Sequence, residues 1–200
     1  MTREFDHVSH DLPITGELPV GDASLEQEND VLGANQDAQP VLLLCGGDQI
    51  AQEVARLAHA SGFVVDVVDE NGDFVGPDNF PTARHCLVLP DFNNLVQACG
   101  IGHRHFVAIL TRKDSLDRQA LTQALTSHAR YIGMIGTRDT RDRVYAALRA
   151  SGVPDAELAA VCCPIGLNIG AQTPQQIAIA VVAELLAAWA GTLTRLRFDT

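Results

Sequence analysis

Four short segments hold the residue types and spacings that could handle an anionic ligand, each directly after an apolar run. The first is Gly46-Gly47-Asp48-Gln49-Ile50-Ala51. It stands where a dinucleotide fingerprint would stand, with glycines for a tight turn, for close pyrophosphate approach and for helix–sheet packing. Only the first glycine of that pattern is kept. Ala51 is an accepted substitute for the last, and Asp48 replaces the middle one, which puts a negative charge beside a phosphate position. Asp69, 23 residues after Gly46, is placed like the acid that binds an adenosine ribose. The second segment, Thr111-Arg112-Lys113-Asp114-Ser115, offers two cations to an anion, with Asp114 or Ser115 available to cap the next helix. The third is Gly136-Thr137-Arg138, a glycine turn opening a helix whose start carries Arg138, Arg141 and Arg143. Bases there oppose the helix dipole, a local cost that an anionic ligand would offset.

The fourth segment runs from Pro164 through Gly166 and Gly170 to Thr173-Pro174-Gln175-Gln176. Thr173 reads as an N-cap, Pro174 as the first helical residue and Gln176 as the reciprocal partner of a capping box. Such a helix start fixes the direction of its first N–H groups, which can receive an anion.

The elements that must position these turns alternate in type. Apolar runs at 41–45, 63–68, 85–89, 105–110, 131–135 and 160–163 read as strands, and amphipathic stretches at 49–61, 93–99, 114–127, 137–150 and 173–190 as helices. This order predicts an α/β, Rossmann-like fold: a mainly parallel sheet of about six strands with helices on both faces. Residues 70–84, with Asn71-Gly72, Gly76-Pro77 and Pro81, read as a loop. The folded domain is expected over 40–200. Residues 1–39 read as a flexible acidic tail or linker, polar and aperiodic.

Charge and composition narrow the function. The net charge is −11, but residues 1–39 hold nine acids against Arg3, which leaves only −3 for the remainder. No basic stripe is interleaved with aromatics, so nucleic acid is not an expected partner. No apolar run reaches the roughly 20 residues of a membrane span, and no secretory signal is visible, so a cytoplasmic location is expected. Five cysteines include no C-x-x-C pair and read as reduced core residues. The adjacent Cys162 and Cys163 are retained as weak candidates for a soft metal or a sulfur acceptor.

Tyr131-Ile132-Gly133-Met134-Ile135-Gly136-Thr137-Arg138 and the segment from Pro164 to Pro174 closely resemble the C-terminal Rossmann-like domain of the XdhC/CoxI family. The resemblance spans about residues 40–190. It implies a maturation factor for molybdenum hydroxylases of the xanthine dehydrogenase or carbon monoxide dehydrogenase type, one that handles molybdenum cofactor, a molybdopterin phosphate. The implied partner is the hydroxylase apoenzyme. Against the family pattern Gly-x-Gly-His, this chain has Gly46-Gly47-Asp48-Gln49. Against Thr-Arg-Gly-His it keeps Thr111, Arg112 and the later Asp117 but has Lys113 and Asp114, and against Gly-Ser-Arg-Arg-Lys it has Gly136-Thr137-Arg138-Asp139-Thr140. The separate N-terminal domain of full-length members is not expected in these 200 residues.

These residues leave three functions open. The first is a non-catalytic accessory protein binding molybdenum cofactor or a related phosphate-bearing ligand through Gly46, Gly47, Asp48, Gln49, Asp69, Thr111, Arg112, Gly136, Thr137, Arg138, Gly166 and Thr173. The second is an NAD(P)-dependent oxidoreductase using Asp69 for the ribose. The third is an interaction module whose acidic segment docks on a partner. A homodimer is left open.

Overall fold

Five consecutive buried residues, Val41–Cys45, make the first strand, β1, and their uninterrupted apolar character marks a strand covered on both faces. A computed structural model describes residues 39–193; the acidic segment expected over 1–39 lies outside the described residues except for Gln39. The strands that follow are β2 (Val64–Asp69), β3 (His85–Val88), β4 (His105–Ile109) and β5 (Tyr131–Met134). All pair in parallel, in the order β3-β2-β1-β4-β5. The direction of winding reverses between β1 and β4. In open sheets of this kind the ligand crevice forms there, at the carboxyl ends of the strands.

Helices cover both faces. On one, α1 (Gln49–Ala60) packs with α6 (Pro174–Trp189) over Leu42, Leu44, Val65 and Val67. On the other, α3 (Asp114–Thr126) and α4 (Arg138–Ala150) cover Leu43, Val107, Ile109 and Met134, joined by the short α2 (Leu95–Cys99) and α5 (Asp155–Leu158). Alternate residues of each strand thus feed alternate cores. Phe63 meets the Phe106 ring edge-on with centroids 5.4 Å apart, and Trp189 packs on Phe63 at 5.3 Å.

The sheet has five strands where about six were expected. The run at 160–163 makes a single bridge, Cys162 to Gly133. Cys162 donates to the Ile132 carbonyl and accepts from Met134 N–H, at 2.9 and 3.0 Å. The ladder extends no further as a strand because Pro164 has no N–H to donate.

Two buried carboxyl groups tie helices to strand ends. Glu184 on α6 is 7% exposed and accepts a hydrogen bond from the Tyr131 hydroxyl on β5. Asp117 on α3 is 3% exposed and accepts at 2.5 Å from the hydroxyl of Thr111, just beyond β4. Burial, partly countered by the Thr111 bond and reinforced by Asp114, pushes the Asp117 carboxyl up to about 6. The histidines near the amino end of β4 serve packing: His103 stacks on His128 at 4.9 Å, and His105 is buried. Among the described residues no helix is long and apolar enough to cross a membrane.

Both carboxyl groups have measurable consequences for stability. Tyr131→Phe leaves Glu184 buried without its donor and should cost about 1–3 kcal/mol in urea unfolding, while adding Glu184→Leu should recover part of the loss. The raised Asp117 value means the folded state holds its proton more tightly than the unfolded chain. Its stabilising contribution is therefore complete below the ordinary carboxyl range and is lost as pH rises through about 6. Denaturation of wild type and Asp117→Asn between about pH 4 and 7 should show their stability difference changing by up to roughly 3 kcal/mol in favour of the variant.

Candidate functional site

The turn after β1 is closed by the chain itself. Gly46 has φ 118°, and a Cβ there would lie 2.4 Å from the Leu110 carbonyl oxygen, so the β1 and β4 ends approach as closely as glycine allows. Gly47 is pressed in the same way against the loop that follows β2, where a Cβ would sit 2.4 Å from the Phe74 carbonyl oxygen. Gly46 N–H donates to the Val68 carbonyl at 2.7 Å. These contacts fix the direction in which α1 begins.

Asp48 is the N-cap of α1. Its Oδ1 accepts from the backbone N–H groups of Ile50 and Ala51 at 3.0 and 3.1 Å. In a nucleotide-binding turn, helix N-terminal groups of this kind face a phosphate. Here a side-chain carboxylate already occupies two of them. Gln49 is the exposed first residue of the helix and adds no cap.

Asp69 is similarly engaged. Its Oδ2 accepts from Gly47 N–H at 2.9 Å and its Oδ1 from Asn71 N–H at 2.9 Å. The Arg112 guanidinium stands 3.5 Å from Oδ2 and 3.6 Å above the centre of the Phe74 ring. Lys113 pairs with Glu70 at 2.5 Å. The carboxylate placed for a ribose thus holds together the β1 turn, the β2 end and the cation after β4. The β1–β2 half of the carboxyl edge carries Asp48, Asp69 and Glu70 against Arg112 and Lys113.

The β4–β5 half is built differently. Thr111 is turned to Asp117, and Lys113 N–H donates to Thr111 Oγ1 at 3.3 Å. Asp114 is not a side-chain cap; it is bound by Arg143 of α4 at 2.9 Å. Gly136 leads into Thr137, which caps α4 by accepting from Thr140 N–H at 3.2 Å. Arg138 is the exposed first residue of that helix. Arg141 is paired with its neighbour Asp142 at 2.8 Å.

Pro164 to Thr173 forms the adjoining wall. Ile165 N–H donates to the Met134 carbonyl at 2.9 Å, so the loop continues from the Cys162 bridge along the end of β5. Gly166 lies against the α6 backbone at Ala180 and Val181. The capping box on α6 is formed as expected: Gln176 N–H donates to Thr173 Oγ1 at 3.3 Å, and Thr173 N–H to Gln176 Oε1 at 3.2 Å. Gln176 Oε1 also accepts from Gln172 N–H at 2.9 Å. Burial pushes the Cys163 thiol up to about 12, which argues against a nucleophilic thiolate. Among the described residues no group of three or more His, Cys, Asp or Glu is placed to hold a metal ion.

The residues singled out from the sequence therefore separate into several groups, with Gln49 starting α1 and Thr111 turned to Asp117. Gly46, Gly47, Asp48, Asp69 and Arg112 converge into one internally bonded cluster. Gly136, Thr137, Arg138 and Gly166 belong to the β5 end and its adjoining loop, while Thr173 starts α6. Phe74 was missed. As one aromatic inside a glycine- and proline-rich loop it has no periodic partner, and only the fold brings it to Gly47 and Arg112.

Residues 42–185 match the family model of the XdhC Rossmann domain. The chain is 33% identical over 148 residues to the uncharacterised protein YqeB of Escherichia coli, covering 74% of this chain and 27% of that protein. It is 26% identical over 150 residues to a probable xanthine dehydrogenase subunit of Bacillus subtilis, covering 75% of this chain and 43% of the relative. A crystal structure of a xanthine dehydrogenase from Bacillus halodurans superposes with a TM-score of 0.65 at 27% identity, over 81% of this chain and 45% of that one. The chain spans less than half the length of each of these proteins. On the match over 42–185 and the parallel five-stranded sheet behind it, the chain belongs to the XdhC Rossmann domain family.

Proposed function

We propose that this chain is the Rossmann module of an accessory factor for a molybdenum hydroxylase of the xanthine dehydrogenase type. In this reading it binds molybdopterin, or a closely related phosphate-bearing ligand, at the β4–β5 half of its carboxyl-edge crevice. The observation that carries it is the joining of the two family-like segments: Tyr131 to Arg138 and Pro164 to Thr173 lie side by side through the Cys162 bridge and the Ile165–Met134 hydrogen bond. They are far apart in sequence and form one wall in space. The names of the longer relatives, which refer to xanthine dehydrogenase, support the choice of target enzyme.

The residues present fit a phosphate unequally. The α1 start already carries the Asp48 carboxylate on its N–H groups, and a second anion there would meet both that charge and the Phe74 backbone. The α4 start offers Gly136, Thr137 and the Arg138 side chain, with Arg112 as a second cation if it leaves Asp69. Charge-assisted hydrogen bonds from these arginines would dominate binding. Bound molybdopterin would supply the dithiolene sulfurs that hold molybdenum. The protein's part is to grip the phosphate and present the group to the apoenzyme, so no catalytic residue is assigned.

The same geometry weighs against an NAD(P)-dependent oxidoreductase, because the pyrophosphate and ribose positions are filled by Asp48 and by the partners of Asp69. Equilibrium dialysis should show molybdopterin binding at micromolar concentration. Arg138→Ala and Arg112→Ala should each weaken it by about tenfold or more, the scale of one charge-assisted bond. In thermal denaturation NAD and NADP should leave the wild type unshifted, whereas a true ligand at 100 times its Kd adds about 2.7 kcal/mol. Absence of molybdopterin binding, or a nucleotide shift of that size, would overturn the proposal.

A further inference from the structure

The Arg112 side chain fills a place shaped for a flat ring. Its guanidinium is planar, lies 3.6 Å above the centre of the Phe74 ring and turns Nη2 toward Asp69 Oδ2 at 3.5 Å. A flat N–C–N group stacked on an aromatic face, with its N–H edge toward an acceptor, is also how amino-substituted heterocycles are held. The two supports are fixed by the fold. Asp69 is 4% exposed and keeps its position through the Gly47 and Asn71 N–H groups at 2.9 Å each, while the half-buried Phe74 has its carbonyl pressed against Gly47. The guanidinium is held loosely by comparison. Its 3.5 Å approach to Asp69 is at the outer limit of a hydrogen bond, and its side chain is 39% exposed, where ion pairs and cation–π contacts are weak.

The same two supports select the ring that can take the place of the guanidinium. With Arg112 turned away, Asp69 Oδ2 keeps the Gly47 N–H but loses the donor on its outer side, so an incoming ring has to bring N–H groups to it. A 2-amino-4-oxo ring, the edge shared by guanine and pterin, is planar and presents two adjacent N–H donors with the N–C–N connectivity of a guanidinium. An adenine-type edge sets a ring-nitrogen acceptor beside its amino group, and that acceptor would face the carboxylate with like partial charge. The displaced Arg112 is then available to an anionic group carried by the same ligand.

We infer that the Phe74 face and Asp69 Oδ2 form a subsite for a 2-amino-4-oxo heterocycle, filled by Arg112 until the ring enters and the arginine turns to the ligand's anionic group. The choice of ring comes from Phe74, Asp69 and Arg112 alone, whereas the coupling to a phosphate rests on the accessory-factor reading. Phe74 is thereby a specificity residue and Arg112 a side chain with two alternative positions.

Titration of the full chain with guanosine, GMP, AMP and the fluorescent pterin-6-carboxylate tests this. GMP should bind about tenfold or more tightly than AMP, since the adenine edge leaves Asp69 facing an acceptor. Phe74→Leu should keep the circular dichroism of the folded domain, weaken guanosine and the pterin by about tenfold and reduce the quenching of pterin fluorescence. Arg112→Ala separates ring from anion: guanosine should tighten several-fold because nothing competes for Phe74, while GMP weakens because its cation is lost. A pterin bound more tightly than GMP assigns the ring to a pterin, and the reverse order assigns it to a guanine nucleotide. AMP equal to GMP, guanosine unmoved by a folded Phe74→Leu variant, guanosine and GMP shifting in the same sense in Arg112→Ala, or no ring binding up to about 1 mM would each overturn the subsite. Guanosine selectivity without molybdopterin binding would overturn the accessory-factor reading and leave the subsite standing. Molybdopterin binding indifferent to Phe74→Leu would do the opposite.

Discussion

The Asp69 carboxylate is the interaction around which the carboxyl edge of the sheet is organised. It takes the Gly47 and Asn71 N–H groups at 2.9 Å each and faces the Arg112 guanidinium at 3.5 Å. Through those contacts the end of β2 fixes the β1 turn, the entry to the following loop and the cation beyond β4. The buried Gly47 N–H would otherwise be an unpaired donor at the centre of the domain, a loss of about 1–3 kcal/mol. With the turn held there, α1 starts in a set direction. Asp48 then satisfies its first free N–H groups, and Phe74 closes the outer side under Arg112.

This arrangement explains why the two halves of the carboxyl edge are built differently. The β1–β2 half is a finished hydrogen-bond network in which acids of the chain itself stand where ligand oxygens stand in nucleotide-binding relatives of the fold. The β4–β5 half ends in a capped helix with an arginine at its first position, beside a loop bonded to the last strand. Family-like sequence is denser in the second half. Departures from the family pattern occur in both halves, Asp48 in the first and Asp114 and Asp139 in the second.

Most of the fold was legible because buried parallel strands and amphipathic helices leave different periodicities. Val41–Cys45, His105–Ile109 and the Thr173 capping box were readable to within a residue or so for that reason. The run at 160–163 misled because apolar character reports burial, whereas a strand also needs a continuing set of donors, and Pro164 interrupts them. At the site, Asp48 was read as a charge repelling a phosphate. The structure adds that it is a cap, a role settled by backbone geometry that spacing alone leaves open. The contacts of Phe74 with Gly47 and Arg112, and the pairing of Lys113 with Glu70, are long-range and had no local signature.

The closed β1 turn also separates folding from supply. In a domain whose first turn depends on a bound nucleotide, the folded fraction rises and falls with the nucleotide pool, because ligand binding adds directly to stability. Here covalently tethered carboxylates fill that role at a fixed, concentration-independent strength. The sheet edge is consequently braced by the chain's own groups, and a ligand bound elsewhere on the domain adds to a stability that the β1 turn already has.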